Sequence, residues 1–263
     1  MLKEMLSYAI KAAIGAGAEI MDTYHTDVDV YLKSDNSPLT IADQKANQFI
    51  DGVLKSTGLP IISEENKQDA FEVRQTWDTC WIVDPLDGTK EFIKRNGEFT
   101  VNIALIQHGK PVLGVIYVPV AKILYYAIVS EGKAFKCILK QHMFAKELFE
   151  NSTEILRAKN SDPEIKVVGS RSHQNEATLN YISALESKGH KIQLVSKGSS
   201  LKFCIVAEGL ASIYPRFAPT MEWDTAAGHA ICNAVGVSVS QVDSQEELQY
   251  NKADLLNPYF IVH

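Results

Sequence analysis

The sequence predicts a mixed α/β (α+β) protein whose N-terminal half centres on an antiparallel sheet and whose C-terminal half alternates strands with helices. Two helical periodicities come before residue 60. Short β-branched and aromatic runs follow from Trp81, and alternating strand and helix signals follow from about residue 166. The 263 residues suffice for one large domain or two modest ones. With 46% hydrophobic and 22% charged residues, the chain has material for a core and no bias toward disorder or collagen.

Leu2, Leu6, Ala9, Ile10, Ala13, Gly17, Ile20, Met21 and Tyr24 recur at three and four, which predicts a helix with one buried face ending near Tyr24. Lys3, Glu4, Lys11 and Glu19 interrupt any signal-peptide core there. A second helix is expected from Ile41 to Lys55, with Thr40 as N-cap, Asp43 in its first turn, and Gly58 and Pro60 as stops. WIVD, FTVNIALI, VLGVIYV and ILYYAIV read as strands of an antiparallel sheet. Val112 to Val129 is the one stretch of membrane-like texture, but Pro119 and Lys122 in its middle favour a hairpin about PVAK. Residues 136–164 are weakly patterned and predict a boundary or a variable excursion, with the chain divided into 1–155 and 156–263. Beyond them KVVGS, a helix near Asn175–Lys188, KIQLV, a helix near Ser200–Glu208, ASIYP, a helix near Thr225–Ala234 and VSVSQ predict a second α/β layer.

Thirty-two acids against 26 bases give a net charge of −6, so no basic field is present to hold a nucleic acid. An anionic substrate would then call for a metal. Cys80, Cys137, Cys204 and Cys232 have no metal or disulfide spacing and predict a reducing, cytoplasmic setting, with Cys204 and Cys232 as small core residues.

Chemistry concentrates in Asp84-Pro85-Leu86-Asp87-Gly88-Thr89, after the apolar Trp81-Ile82-Val83. The strand is expected to end there, with Pro85 forcing a turn that aims both carboxylates and the Leu86 carbonyl at one point, a hard-oxygen set suited to Mg²⁺. Gly88 and Thr89 would open a helical turn whose free N–H groups face a phosphate. The same composition also makes an ordinary surface turn. Glu64-Glu65 after Ile61-Ile62, and Asp224 after Trp223, extend the acidic set, although singly they fit a solvated turn and a helix N-cap.

Glu64-Glu65, Asp84-Pro85-Leu86-Asp87-Gly88-Thr89 and Trp223-Asp224-Thr225-Ala226-Ala227-Gly228 resemble, in this order and across essentially the whole chain, the three signature motifs of the inositol monophosphatase family. KEFIKRNGEFTVNIALI and GSSLKFCIVAEG upstream of YPRF are similar to its 3′(2′),5′-bisphosphate nucleotidase branch. The resemblance implies a layered α/β/α/β/α sandwich, with the 1–155 half binding metal and the 156–263 half completing the site. It implies two or three Mg²⁺ ions on Glu64, Asp84, the Leu86 carbonyl, Asp87 and Asp224. Asp43 and Thr89 would form a catalytic pair orienting the attacking water, with Glu64 beside them. A plain capping role for Asp43 stays open.

Leu86, Asp87, Gly88, Thr89 and Asp224 would meet the substrate phosphate, and Ser199, Lys202, Arg216 and His173 the nucleotide. Lys202 and Arg216 can equally be solvated charges, and Ser199 a helix cap. The implied reaction is hydrolysis of adenosine 3′,5′-bisphosphate, or its 5′-phosphosulfate relative, to a 5′-nucleotide and phosphate in sulfur metabolism and nucleotide recycling, with sensitivity to lithium. An inositol or sugar phosphatase, and a non-catalytic metal or nucleotide module, are the alternatives. A peripheral membrane contact, a monomer and a homodimer stay open.

Overall fold

The computed structural model describes residues 1–25, 30–32, 38–156, 164–169 and 175–263. Helix α1 (Leu2–Tyr24) buries Leu6, Ala9, Ile10, Ala13, Gly17 and Ile20, the face that its periodicity predicts. The short strands β1 (Val30–Leu32) and β2 (Pro38–Thr40) pair antiparallel and lead into α2 (Ile41–Leu54), capped by the Thr40 hydroxyl, which accepts from the Ala42 N–H at 3.2 Å. The α-helix stops at Leu54, one residue short of the expected end, because a 3₁₀ turn over Lys55–Thr57 tightens the chain before left-handed Gly58.

The central sheet is built from β3 (Ile61–Ser63) and, after the single turn α3 (Phe71–Arg74), from β4 (Thr79–Asp87). Past the one-turn helix α4 (Thr89–Ile93) come β5 (Thr100–Gln107), β6 (Lys110–Val118), β7 (Ile123–Ile128), β8 (Lys133–Ile138) and β9 (Thr153–Glu154). These seven strands lie in sequence order. All neighbours pair antiparallel except β3 and β4, which run parallel. The PVAK hairpin forms as expected, between β6 and β7. Residues 136–156, weakly patterned in sequence, finish β8 and supply the edge strand β9. Edge pairing leaves one side open, so this segment lacks the apolar signal of a central strand.

Beyond residue 163 come β10 (Glu164–Gly169), α5 (Glu176–Ser187), β11 (Lys191–Ser196), α6 (Leu201–Ala207), β12 (Tyr214–Arg216), α7 (Glu222–Ala234), β13 (Val239–Gln241) and β14 (Phe260–Val262). Strands β10 and β11 pair parallel across α5, as a βαβ unit must. The expected alternation breaks thereafter, because β14, absent from the sequence reading, inserts antiparallel between β12 and β13. The pair and the trio are joined by a bridge between Val167 and Ile213.

The layers therefore run α1/α2, seven-stranded sheet, α6/α7, second β layer and α5, the predicted sandwich. Odd positions Trp81, Val83, Val101, Ile103 and Leu105 bury against α1 and α2, and even positions Cys80, Ile82, Ala104 and Ile106 against α6 and α7. Burial on both faces explains why these strands read as continuous apolar runs. Among the described residues no helix is long and apolar enough to cross a membrane.

Helix α7 lies so close to β6 that a Cβ on Gly114 would come within 2.4 Å of the Ala227 carbonyl oxygen, whereas one on Gly52 in α2 would meet nothing within 4 Å. Gly114→Val is expected to lower stability by about 2 to 3 kcal/mol in urea titration, and Gly52→Ala to hold or raise it by about 0.5 to 1 kcal/mol.

Candidate metal and phosphate site

The first acids come from an irregularity in β4. The strand does not end at Asp84 as expected. Asp84 pairs with Asn102 and Asp87 with Thr100, so three residues advance on β4 while two advance on β5. In a regular strand residues i and i+3 face opposite ways; one extra residue restores the alternation and turns Asp84 and Asp87 to the same face, toward α6 and α7. Pro85, with no N–H to give the ladder, is tolerated at such a bulge. The Leu86 N–H turns inward and donates to Asp84 Oδ1 at 3.0 Å.

Two helix N-termini add the next acids. Asp43 sits in the first turn of α2, where Oδ2 accepts from the Thr40 N–H and hydroxyl, both at 2.7 Å. Its other oxygen, Oδ1, accepts from the Thr89 hydroxyl at 3.2 Å. One carboxylate thus caps the helix and meets Thr89, so the two sequence readings of Asp43 are compatible. Asp224 repeats the device on α7, which begins at Glu222 rather than near Thr225. It occupies the third helical position, not the cap, and its Oδ2 accepts from the Met221 N–H at 2.7 Å. Each helix dipole favours the carboxylate placed there.

Carboxylate oxygens of Asp84, Asp87 and Asp224 lie within 4.8 Å of one another. Glu64, just past β3, lines the same cavity of about 410 Å³ without joining the close trio, as do Leu86, Gly88 and Thr89. Glu65 is outside that lining. Removal from water, then the charges of Glu64, Asp87 and Asp224, push the Asp84 carboxyl well above the usual carboxylate range. Asp224 is pushed up to about 8 by removal from water and then by the charge of Asp87. An all-oxygen set of mutually repelling carboxylates fits a hard divalent cation, whose charge would reverse these shifts.

Asp87 is held from behind by residues the sequence reading missed. The Ser200 hydroxyl lies 2.8 Å from Asp87 Oδ2 and 2.9 Å from the Asp224 carbonyl, and the Asn102 amide donates to Ser200 Oγ at 2.8 Å and to Asp87 Oδ2 at 3.3 Å. Thr100 in turn donates to Asn102 Oδ1 at 2.9 Å. A signal was present: Thr100 and Asn102 are polar at i and i+2 within an apolar strand, so they share one buried face.

A second cavity, of about 190 Å³, adjoins the first and is lined by Ser199, Lys202 and Arg216, and also by Lys90 and Lys94 of the α4 turn. Ser199 has φ of 42° and leaves helix capping unused, its hydroxyl instead lying 3.3 Å from that of Thr100. Lys202 is 6% exposed, donates to the Ser199 carbonyl at 2.5 Å and lies over the Tyr214 ring at 5.5 Å; burial brings its ammonium down to about 8. Arg216 donates through Nη2 to the Pro219 carbonyl at 3.1 Å, while its buried Nε has no partner. His173 lies outside the described residues. The four cysteines are buried thiols, as expected of Cys204 and Cys232.

The profile of the inositol monophosphatase family matches residues 1–262. The chain is 45% identical over 264 residues to the 3′(2′),5′-bisphosphate nucleotidase CysQ of Escherichia coli K12, covering 98% of this chain and 99% of that protein. It is 35% identical over 266 residues to the CysQ of Haemophilus influenzae, covering 99% and 93%. The crystal structure of CysQ from Bacteroides thetaiotaomicron, a bacterial member of the inositol monophosphatase family, superposes with a TM-score of 0.88 at 52% identity over 99% of this chain and 97% of that one. This chain, too, belongs to the inositol monophosphatase family.

Proposed function

We propose that this chain is a Mg²⁺-dependent 3′(2′),5′-bisphosphate nucleotidase that converts adenosine 3′,5′-bisphosphate to adenosine 5′-phosphate and inorganic phosphate in the cytoplasm. Similarity to CysQ nucleotidases along the whole chain carries the reading. A cation-lined cavity directly beside the carboxylates agrees with it. An uncharged polyol or sugar would leave those cations without a partner, which disfavours an inositol or sugar phosphatase.

Glu64, Asp84, the Leu86 carbonyl, Asp87 and Asp224 would hold the Mg²⁺ ions. When bound, Mg²⁺ supplies charge neutralisation for the phosphate and the leaving oxygen and acidifies water. The chain's own part is positioning. Thr89 donates its one hydroxyl proton to Asp43, which leaves the oxygen lone pairs to accept a hydrogen bond from the attacking water. Asp43 is pinned by Thr40 and α2, so Thr89 is oriented by a buried anchor. In this reading residues 1–155 supply most of the metal site, and residues 156–263 supply Asp224, Ser199, Lys202 and Arg216. A phosphate-release assay across bisphosphate nucleotides, inositol phosphates and sugar phosphates, with Mg²⁺ or EDTA, tests the proposal. Release that ignores Mg²⁺, or that favours inositol phosphates, refutes it.

Asp87→Asn is expected to reduce turnover below about a tenth of wild type at saturating Mg²⁺, since loss of a ligand costs at least a few kcal/mol in the transition state, while metal-free stability holds or rises. Between about pH 4 and pH 8 the folded chain keeps a proton on Asp224 that the unfolded chain has lost, so metal-free stability falls as pH rises through that window. Melting curves in EDTA should show a lower Tm at pH 8 than at pH 5, a slope that Asp224→Asn flattens. Lys202→Ala and Arg216→Ala should each lower kcat/KM for the bisphosphate by about ten- to a hundredfold, and lower it less for a nucleoside 3′-phosphate.

A further inference from the structure

The second cavity contains more positive charge than its C-terminal residues supply. Lys90 and Lys94 stand four apart on the α4 turn, and both line it. Four apart is one helical turn, so both ammonium groups extend from the same side of α4. Neither ammonium makes an ion pair or hydrogen bond among the described residues. In the same cavity Lys202 is engaged by the Ser199 carbonyl and the Tyr214 ring, and Arg216 by the Pro219 carbonyl, although its buried Nε has no acceptor. Both lysines line the cavity together with Asp87, Glu91 and Asp224.

Lys90 also lines the carboxylate cavity, so it stands in the wall that the two cavities share with Asp87, Gly88 and Asp224. A ligand with one phosphate at the carboxylates and a second group in the adjoining cavity would pass this lysine. A phosphate dianion is held best by several cations, and in the C-terminal half both Lys202 and Arg216 already give one donor to a backbone carbonyl. We infer that Lys90 and Lys94 are specificity-determining residues which, with Arg216 opposite, hold the phosphate of the substrate that is not hydrolysed. The inference rests on the bisphosphate nucleotidase reading and adds that this second subsite is built from both halves of the chain.

The test compares adenosine 3′,5′-bisphosphate with adenosine 3′-phosphate, measuring kcat/KM at saturating Mg²⁺ for wild type, Lys90→Ala, Lys94→Ala, the double variant and Lys94→Arg. Wild type should prefer the bisphosphate by at least about tenfold. Each alanine variant should reduce that preference by about three- to tenfold and the double variant should nearly abolish it, while Lys94→Arg, which keeps the charge, retains most of it. The bisphosphate reaction should also lose part of its dependence on ionic strength in the double variant. If wild type prefers the bisphosphate and the double variant keeps that preference, or slows both substrates by the same factor, the lysine assignment is overturned and the nucleotidase reading stands. If wild type shows no preference, both are overturned.

Discussion

The crowding of carboxylates at the edge of the central sheet is the constraint that orders the rest of the molecule. Asp84, Asp87 and Asp224 repel one another at separations below 4.8 Å, and removal from water, with that repulsion added, drives Asp84 and Asp224 toward their protonated forms. Such a cluster persists only if each acid is held by something stronger than its freedom to swing away. Each has a donor that does this: the Leu86 N–H for Asp84, the Ser200 hydroxyl for Asp87 and the Met221 N–H for Asp224. These donors come from a bulge, a loop entering α6, and the start of α7. The sandwich of helices about the sheet fixes those three elements relative to one another.

The two helix N-termini show how the fold offsets part of the cost of buried negative charge. Asp43 and Asp224 each spend one oxygen on the backbone N–H that opens a helix, a bond the helix needs in any case. Asp43 turns its other oxygen to Thr89, and Asp224 sets its carboxylate among the acids of the site. A capping role and a site role are therefore two uses of one side chain. The same economy ties site geometry to helix integrity: a shift in the first turn of α7 would move Asp224 with it.

The balance of charge changes on a short length scale, although Asp87, Lys90, Glu91 and Asp224 line both cavities. The chain is acidic overall, and its carboxylates converge on one cavity, yet the adjoining cavity gathers Lys90, Lys94, Lys202 and Arg216. A cation in the first and an anion in the second complement each other, which suits a ligand with two separated negative groups. Lys202 shows the cost of holding such charge inside: its ammonium is brought down to about 8 by burial, in spite of the acids nearby, and leans on a carbonyl and an aromatic face.

Helix α1, the capped start of α2, the PVAK hairpin and the three acidic motifs were legible because each depends on neighbours a few residues away: helical periodicity, a threonine before a helix, a proline between apolar runs. The acids of the site were legible as motifs, but their geometry was not. Pro85 signals a turn, whereas pairing with β5 keeps the strand going and converts the turn into a bulge that aligns Asp84 with Asp87. Strand β14 has only three residues and acquires its place from β12 and β13 on either side. Lys90 and Lys94 look like solvated charges until tertiary structure sets them across a cavity from Arg216, more than a hundred residues away in sequence. The sequence by itself determined the long helices, the central strands and which acids stand near their ends, since those depend on local sterics and periodicity. Tertiary structure alone decided which of those ends meet, because only packing between distant segments brings their side chains within range of one charge.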